Sequence, residues 1–298
     1  MLSHGFMQSA LIAALLVGAT APTVGVHLVQ RRLSIIGDGV GHVALFGVAL
    51  GLVTGWAPLG TAMATAVVGA IAVEALRGLR RNEVDVLMAI LFAGGIAGGV
   101  VLISAMPPGR PANLDAYLFG AIITTTRSDL VVLAGTAAVV LAFTVGLCRA
   151  LFAVSIDEEC ACAAGLPVTV LNMLLAATTA ATVVASMRIV GLLLIGALMV
   201  LPAAAAMLLA RSFRGTLLVA VGIGAVVASA GTTAAYYLGV PAGGTIVLLA
   251  VAVFTVSAAG PGVRRAARRV LASAGCRAAA RRADRPRPVV HSRVGLLP

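Results

Sequence analysis

Lysine is absent: all 21 basic residues are arginines. A phosphate-binding loop of the G-x-x-x-x-G-K-[ST] type is therefore impossible in this chain. If ATP drives the protein, another subunit must hydrolyse it. Charge is scarce as well, at 10% of residues, while 61% are hydrophobic. That balance excludes a soluble domain and fits a polytopic membrane protein. Four cysteines (Cys148, Cys160, Cys162, Cys276) are too few and too scattered for a disulfide framework. Dense metal-capture clusters are missing too, since there are only four histidines.

The net charge of +11 resembles a nucleic-acid signal until its distribution is considered. Residues 264–298 hold ten arginines and one acid, whereas the rest of the chain carries eleven arginines and nine acids. The excess is thus a tail of arginine, alanine and proline. Such a composition suggests a disordered cytoplasmic extension that touches anionic lipid headgroups and binds no nucleic acid. The expected organisation is a transmembrane body over 1–262 and this tail over 263–298.

Apolar segments recur at 6–29, 33–55, 57–76, 84–104, 129–151, 168–186, 189–210, 216–238 and 240–260. Each is close to the roughly 20 residues needed to cross about 30 Å of hydrocarbon. Arginines occupy every second loop: Arg31/Arg32, Arg77/Arg80/Arg81, Arg149, Arg211/Arg214 and the cluster from Arg264. Those loops are cytoplasmic by the positive-inside rule, which sets the N-terminus outside and the C-terminus inside. The first run lacks the positive charge of a signal peptide and reads as a membrane helix. Nine spans fit the alternation, and eight plus a re-entrant segment is the alternative. The stretch 105–128 contains Pro107, Pro108 and Pro111, which forbid a continuous helix. LDAYLFGAII within it is too short to cross and reads as a short interfacial or re-entrant helix on the outer side. The fold class expected is all-α, with eight or nine transmembrane helices.

Within the second span, GDGVGH places Asp38 and His42 four residues apart, on one face of a helix. Ionisable side chains at membrane depth are costly and usually serve transport. A carboxylate and an imidazole suit a divalent transition metal. The simpler alternative is an internally satisfied pair that fixes helix register. Counting from the Arg31/Arg32 interface along a continuous helix, Asp38 lies about 10 Å and His42 about 16 Å in, near the bilayer centre. Gly47, Gly51 and Gly55 fall on the opposite side as a packing ridge, with Gly94/Gly98 and Gly95/Gly99 in the fourth span. Two ligands are too few for a metal, so a second copy related by a two-fold axis would complete the site.

In SIDEECACAAGLPV, Asp157, Glu158 and Glu159 form an acidic first turn, favourable to the helix dipole. A short helix over 160–164 follows, stopped by Gly165 and Pro167, and offers a docking surface to a soluble partner. Cys160 and Cys162 read as small fillers. RIVGLLLIGALMVLPAAAAMLL carries Pro202 inside a span, either an ordinary kink or a moving hinge. Glu74 and Arg77 are a local ion pair. Glu83 and Asp85 open the fourth span, while His4, His27 and His291 are bystanders.

RRLSIIGDGVGHVALFGVALG, LDAYLFGAII, SIDEECACAAGLP and VGLLLIGALMVLPAAAA, in this order, resemble the membrane permease subunits of zinc/manganese/iron ABC importers, the ABC-3 family. The resemblance spans residues 6 to about 260 and implies type II ABC importer architecture, similar to cobalamin permeases. It implies that Asp38 and His42 line the metal path. It also implies that the loop of Asp157, Glu158, Glu159, Ala161 and Gly165 seats an ABC ATP-binding subunit. Cys160 and Cys162 depart from the family pattern and leave redox sensitivity open. The implied function is a homodimeric permease in the bacterial plasma membrane, with no permanently bound cofactor. A transported Zn, Mn or Fe ion would be delivered by an extracytoplasmic metal-binding protein. A self-contained secondary transporter or channel, and a cobalamin or siderophore permease, are the rival readings.

Overall fold

The structure is a computed structural model that describes residues 5–79, 84–106, 114–120 and 126–259. The tail beyond 259, with Cys276 and His291, lies outside the described residues. So do His4, Glu83 and the side chain of Asp85.

Among the described residues, nine helices are long and apolar enough to cross a membrane. They are α1 (Gly5–Gln30), α2 (Ile36–Thr54), α3 (Pro58–Leu79), α4 (Val84–Ser104), α6 (Arg127–Gly146), α9 (Val168–Val190), α10 (Leu192–Leu209), α11 (Phe213–Leu238) and α12 (Ala242–Ala259). Three short helices join them: α5 (Leu114–Leu118), α7 (Cys148–Ile156) and α8 (Glu158–Ala163). The chain is an all-α, multi-pass membrane protein. From Val256 onward α12 falls with the tail in a second unit, whose described residues are helical.

Local chemistry sets the boundaries. Pro58 opens α3, where its missing N–H costs nothing. Thr126 and Asp129 form a reciprocal capping box on α6, and the Ser212 hydroxyl accepts the Gly215 N–H at the start of α11. Gly55 and Gly239 end α2 and α11 in the left-handed conformation. The expected span 129–151 is really two helices, because the chain breaks at Leu147 and α7 sets off separately.

The two largest of four apolar clusters among the described residues make up most of the core. One gathers Val17 and Val24 of α1, Leu198 and Met199 of α10, Val227 of α11 and Ile246 of α12. The other gathers Val40 and Val48 of α2, Ala62 and Ala66 of α3, Met88 of α4 and Val184 and Met187 of α9. Helices α9 and α10 contribute to both clusters and hold the two groups together. Backbones approach closely where glycine permits it. A Cβ at Gly25 would lie 1.9 Å from the Met199 carbonyl oxygen, and one at Gly224 would lie 2.1 Å from that of Gly18. Most threonine hydroxyls in the spans donate to a carbonyl three or four residues back, as Thr144, Thr179, Thr182 and Thr232 do. Large residues such as Val131, Leu218 and Leu248 are exposed, as lipid-facing positions should be.

The short α5 packs against the α9–α10 junction. Gly120 and Gly191, both at positive φ, face each other there, and a Cβ on Gly191 would meet the Leu118 carbonyl oxygen at 2.6 Å. Residues 107–113 and 121–125 lie outside the described part, so only the core of LDAYLFGAII is seen.

Candidate functional site

The corner from α1 to α2 is tighter than a continuous helix. Residues 31–34 turn, Arg32 takes a positive φ of 59°, and the Leu33 N–H bonds back to the Leu28 carbonyl. Helix α2 therefore starts at Ile36, three residues later than the periodicity suggested. Measured from Ile36, Asp38 lies only about 3 Å and His42 about 9 Å along the axis. Asp38 thus belongs to the first turn of α2 and His42 to the next, after a corner of turns rather than the continuous helix assumed from the sequence.

The neighbours of α2 define what its faces do. Gly47 and Gly51 lie against Ala62, Thr61 and Pro58 of α3, as the ridge predicted, whereas Gly55 only caps the helix. Gly37 and Gly41 face Met199 and Leu192 of α10, and Gly39 faces Leu91 and Met88 of α4. At about 100° per residue, Asp38 and His42 point into the gap between α10 and α4, opposite α3.

The two side chains differ in their surroundings. Asp38 is exposed and has no hydrogen-bond partner among the described residues. Gly196 of α10 lies beside it, and a Cβ there would come within 1.8 Å of Oδ1. His42 is buried, with its ring edge-on to Phe92 of α4 at 4.1 Å between centroids. Its Nδ1 has no hydrogen-bond partner among the described residues. Gly95 of α4 allows the approach, since a Cβ there would fall 2.6 Å from the His42 carbonyl carbon. An open cleft of about 430 Å³ lies at the N-terminal turn of α2, lined by Arg32, Ile35, Ile36, Met88 and Phe92 among others. The two groups do not satisfy each other, so the register-fixing alternative has no hydrogen bond to support it among the described residues. No group of three or more His, Cys, Asp or Glu able to hold a metal occurs among the described residues.

The second polar centre is α8. Asp157 is its N-cap and accepts the Glu159 and Cys160 N–H groups at 2.9 and 3.1 Å, so the helix begins at 158 rather than 160. Those bonds, the Cys160 N–H foremost, hold the Asp157 carboxyl below the usual carboxylate range. Ala161 is buried with Leu151, Val154 and Leu171. Gly165 turns the chain at φ 81°. Asp157, Glu159, Cys160, Cys162 and Gly165 are exposed. Glu158 instead points inward, onto Arg31, Arg77 and Asn172. The Glu74–Arg77 pair expected from the sequence is present at 2.7 Å. Its extension to Glu158 and Arg31 was missed, although Asn172 in an otherwise apolar segment was a visible cue. At the opposite end, Arg188 pairs with Asp129 at 2.5 Å, joining α9 to α6.

The hydrogen bond to Asp157 and its negative charge push the Cys160 thiol up, which disfavours the reactive thiolate. Asp157→Asn keeps a good N-cap but removes the charge. Maleimide labelling of Cys160 at pH 8, read by mass spectrometry, should therefore be faster in Asp157→Asn than in the native chain.

The model of the ABC 3 transport family matches residues 3–260. The manganese transport system membrane protein MntC of Halalkalibacterium halodurans is 32% identical over 257 residues, covering 86% of this chain and 88% of that protein. The chelated iron transport system membrane protein YfeC of Yersinia pestis is 29% identical over 255 residues, 85% of each chain. Among solved structures, PsaBC from Streptococcus pneumoniae in complex with Fab superposes with a TM-score of 0.77. Its sequence identity is 31%, covering 86% of this chain and 92% of that one. With nine candidate spans and a family match along nearly its whole length, this chain belongs to the ABC 3 transport family.

Proposed function

We propose that the chain is the membrane permease subunit of an ATP-driven importer of divalent transition metal ions: manganese, iron or zinc. Two copies pair so that Asp38 and His42 of each meet about a shared axis. The observation that carries this reading is the exposed Asp38 carboxylate on a spanning helix, next to a buried imidazole whose Nδ1 has no partner among the described residues. A carboxylate facing lipid is costly, so either protein or a water-filled path must cover it. Two carboxylates also balance the charge of one divalent ion, while two imidazoles supply nitrogen ligands. The relatives that carry manganese or chelated iron in their names support the cargo class.

An extracytoplasmic metal-binding protein delivers the ion to the outer mouth. The cleft beside Phe92 is its way into the cytoplasm. Because the chain cannot form a lysine-containing phosphate loop, a separate ATP-binding subunit hydrolyses ATP and docks on residues 157–165. Its cycle switches access from outside to inside. Residues 1–262 form the permease and 263–298 a cytoplasmic tail that lies against anionic lipid.

The test is reconstitution in proteoliposomes with the ATP-binding subunit. Manganese uptake should require both that subunit and ATP. Uptake by the chain alone, insensitive to orthovanadate, would overturn the reading in favour of a self-contained transporter. Competition among manganese, ferrous iron and zinc in the same vesicles identifies the cargo.

A further inference from the structure

Helix α8 packs its backbone on α7 and α9. Its link to the metal-bearing half of the molecule is polar. Glu158 Oε1 accepts hydrogen bonds from Arg31 Nη2, from Arg77 Nη2 at 3.0 Å and from Asn172 Nδ2 at 3.2 Å. Arg77 in turn donates to Glu74 Oε1 through Nε at 3.1 Å and Nη2 at 2.7 Å. One carboxylate oxygen thus joins the α1–α2 corner, the end of α3 and the start of α9. The groups are largely withdrawn from solvent: 6% of the Arg31 side chain is exposed, 14% of Arg77 and 24% of Glu158. Two arginines and two glutamates balance in charge.

Position gives this cluster its meaning. Arg31 stands at the corner that leads directly into α2, seven residues before Asp38. The corner itself is a set of short turns rather than a helix, so a pull on Arg31 reorients the first turn of α2. A polar cleft of about 240 Å³, lined by Glu74, Arg77, Glu158, Thr169 and Asn172 among others, adjoins the cluster. It gives these side chains room to exchange partners without repacking an apolar core.

We infer that Glu158 is a positioning residue that ties the ATPase-docking helix to α2 through Arg31, so that movement of α8 displaces Asp38 and His42. This rests on the reading of residues 157–165 as the ATPase seat. Of the acidic residues in that turn, Asp157 and Glu159 are exposed, whereas Glu158 is turned onto Arg31 and Arg77. Glu158 transmits.

The test uses the permease–ATPase complex in proteoliposomes and reads metal transported per ATP hydrolysed. Glu158→Gln keeps the shape of the side chain and removes its charge. Transport per ATP should fall about tenfold in Glu158→Gln, inside the usual span of coupling free energies, and in Arg31→Gln, which lies outside residues 157–165, ATP hydrolysis should stay within about twofold of the native complex. An unchanged ratio overturns the inference. A parallel loss of both activities together with a lowered Tm also overturns it, because that is what a purely structural tie predicts. If Glu158→Gln does not assemble, Arg31→Gln attacks the same contact from the α2 side, and its ratio decides.

The docking reading is scored separately. Cys160 and Cys162, exposed on α8, should be protected from maleimide when the ATP-binding subunit is added to the native permease. Absence of protection defeats the seat. Protection together with a normal ratio in both variants defeats the joint alone.

Discussion

Asp38→Ala is expected to lower metal uptake by about a hundredfold or more, and His42→Ala to do nearly the same. Even residues that only orient metal ligands typically account for 10- to 100-fold in affinity or activity, so removing a ligand outright sits at or above that range. In the proposed pair of copies the loss would be compounded by symmetry, since one substitution in the gene would remove two of the four proposed ligands. The accompanying stability change separates this from a folding defect. Asp38 has no hydrogen bond to lose among the described residues, so alanine there should leave the melting temperature unchanged or raise it. Asp38→Asn, which keeps the shape and loses the charge, should fall nearer to alanine than to the native chain, because charge balance with the ion is what is removed. Uptake of radiolabelled manganese, normalised to the amount of permease in the membrane, measures the effect. Undiminished uptake in either alanine variant would sink the site assignment.

Gly196→Ala should be almost as damaging to transport although it adds only a methyl group and touches no ligand atom by replacement. The new Cβ would stand 1.8 Å from Asp38 Oδ1, where no atom can remain. What yields is the far end of a side chain on an open face, so the carboxylate rotates away and the helices stay in place. The cost to stability should be at or below the low end of the 1–3 kcal/mol usual for overpacking. Uptake should drop about tenfold or more, because a ligand held off its position loses the geometry that binding needs. Gly25→Ala is the contrasting control. Its methyl would meet the Met199 carbonyl oxygen at 1.9 Å, and backbone cannot step aside. That variant should lose folded protein, seen as reduced membrane yield and a lowered Tm. Normal uptake in Gly196→Ala would show that Asp38 is not held against α10.

Much of the body was legible from hydropathy and arginine placement. Arg31, Arg77 and Glu158, assigned to the cytoplasmic side from separate loops, meet at one end of the bundle, and Arg188 and Asp129 meet at the other. The angles along α2 follow from its sequence as well, since Gly47 and Gly51 face α3 while Asp38 and His42 look the other way, although Gly55 meets no neighbour. The corner between α1 and α2 was not legible. Hydropathy cannot distinguish a helix from a turn through apolar residues such as Leu33 and Ile35, and the left-handed Arg32 carries no glycine to announce it. The direction of Glu158 was also hidden, since three acids in a row look alike until a helix start is fixed. The cap at Asp157 sets that start and turns Glu158 and Ala161 inward together, three residues apart.

The threonines that fold their hydroxyls back onto their own helices have a mechanical consequence. A hydroxyl already bonded three or four residues back carries little adhesion to the next helix, so neighbouring spans touch mainly through methyls and glycine backbone. Thr65, whose hydroxyl also reaches the Val43 carbonyl of α2 at 3.4 Å, is an exception, so few hydrogen bonds must break before a small displacement. The firm ties lie at the two rims, Arg188–Asp129 on one and the Glu158 cluster on the other. The molecule is thus lubricated in the middle and riveted at its ends, a construction in which whole helices tilt as rods and the rivets decide how far they travel.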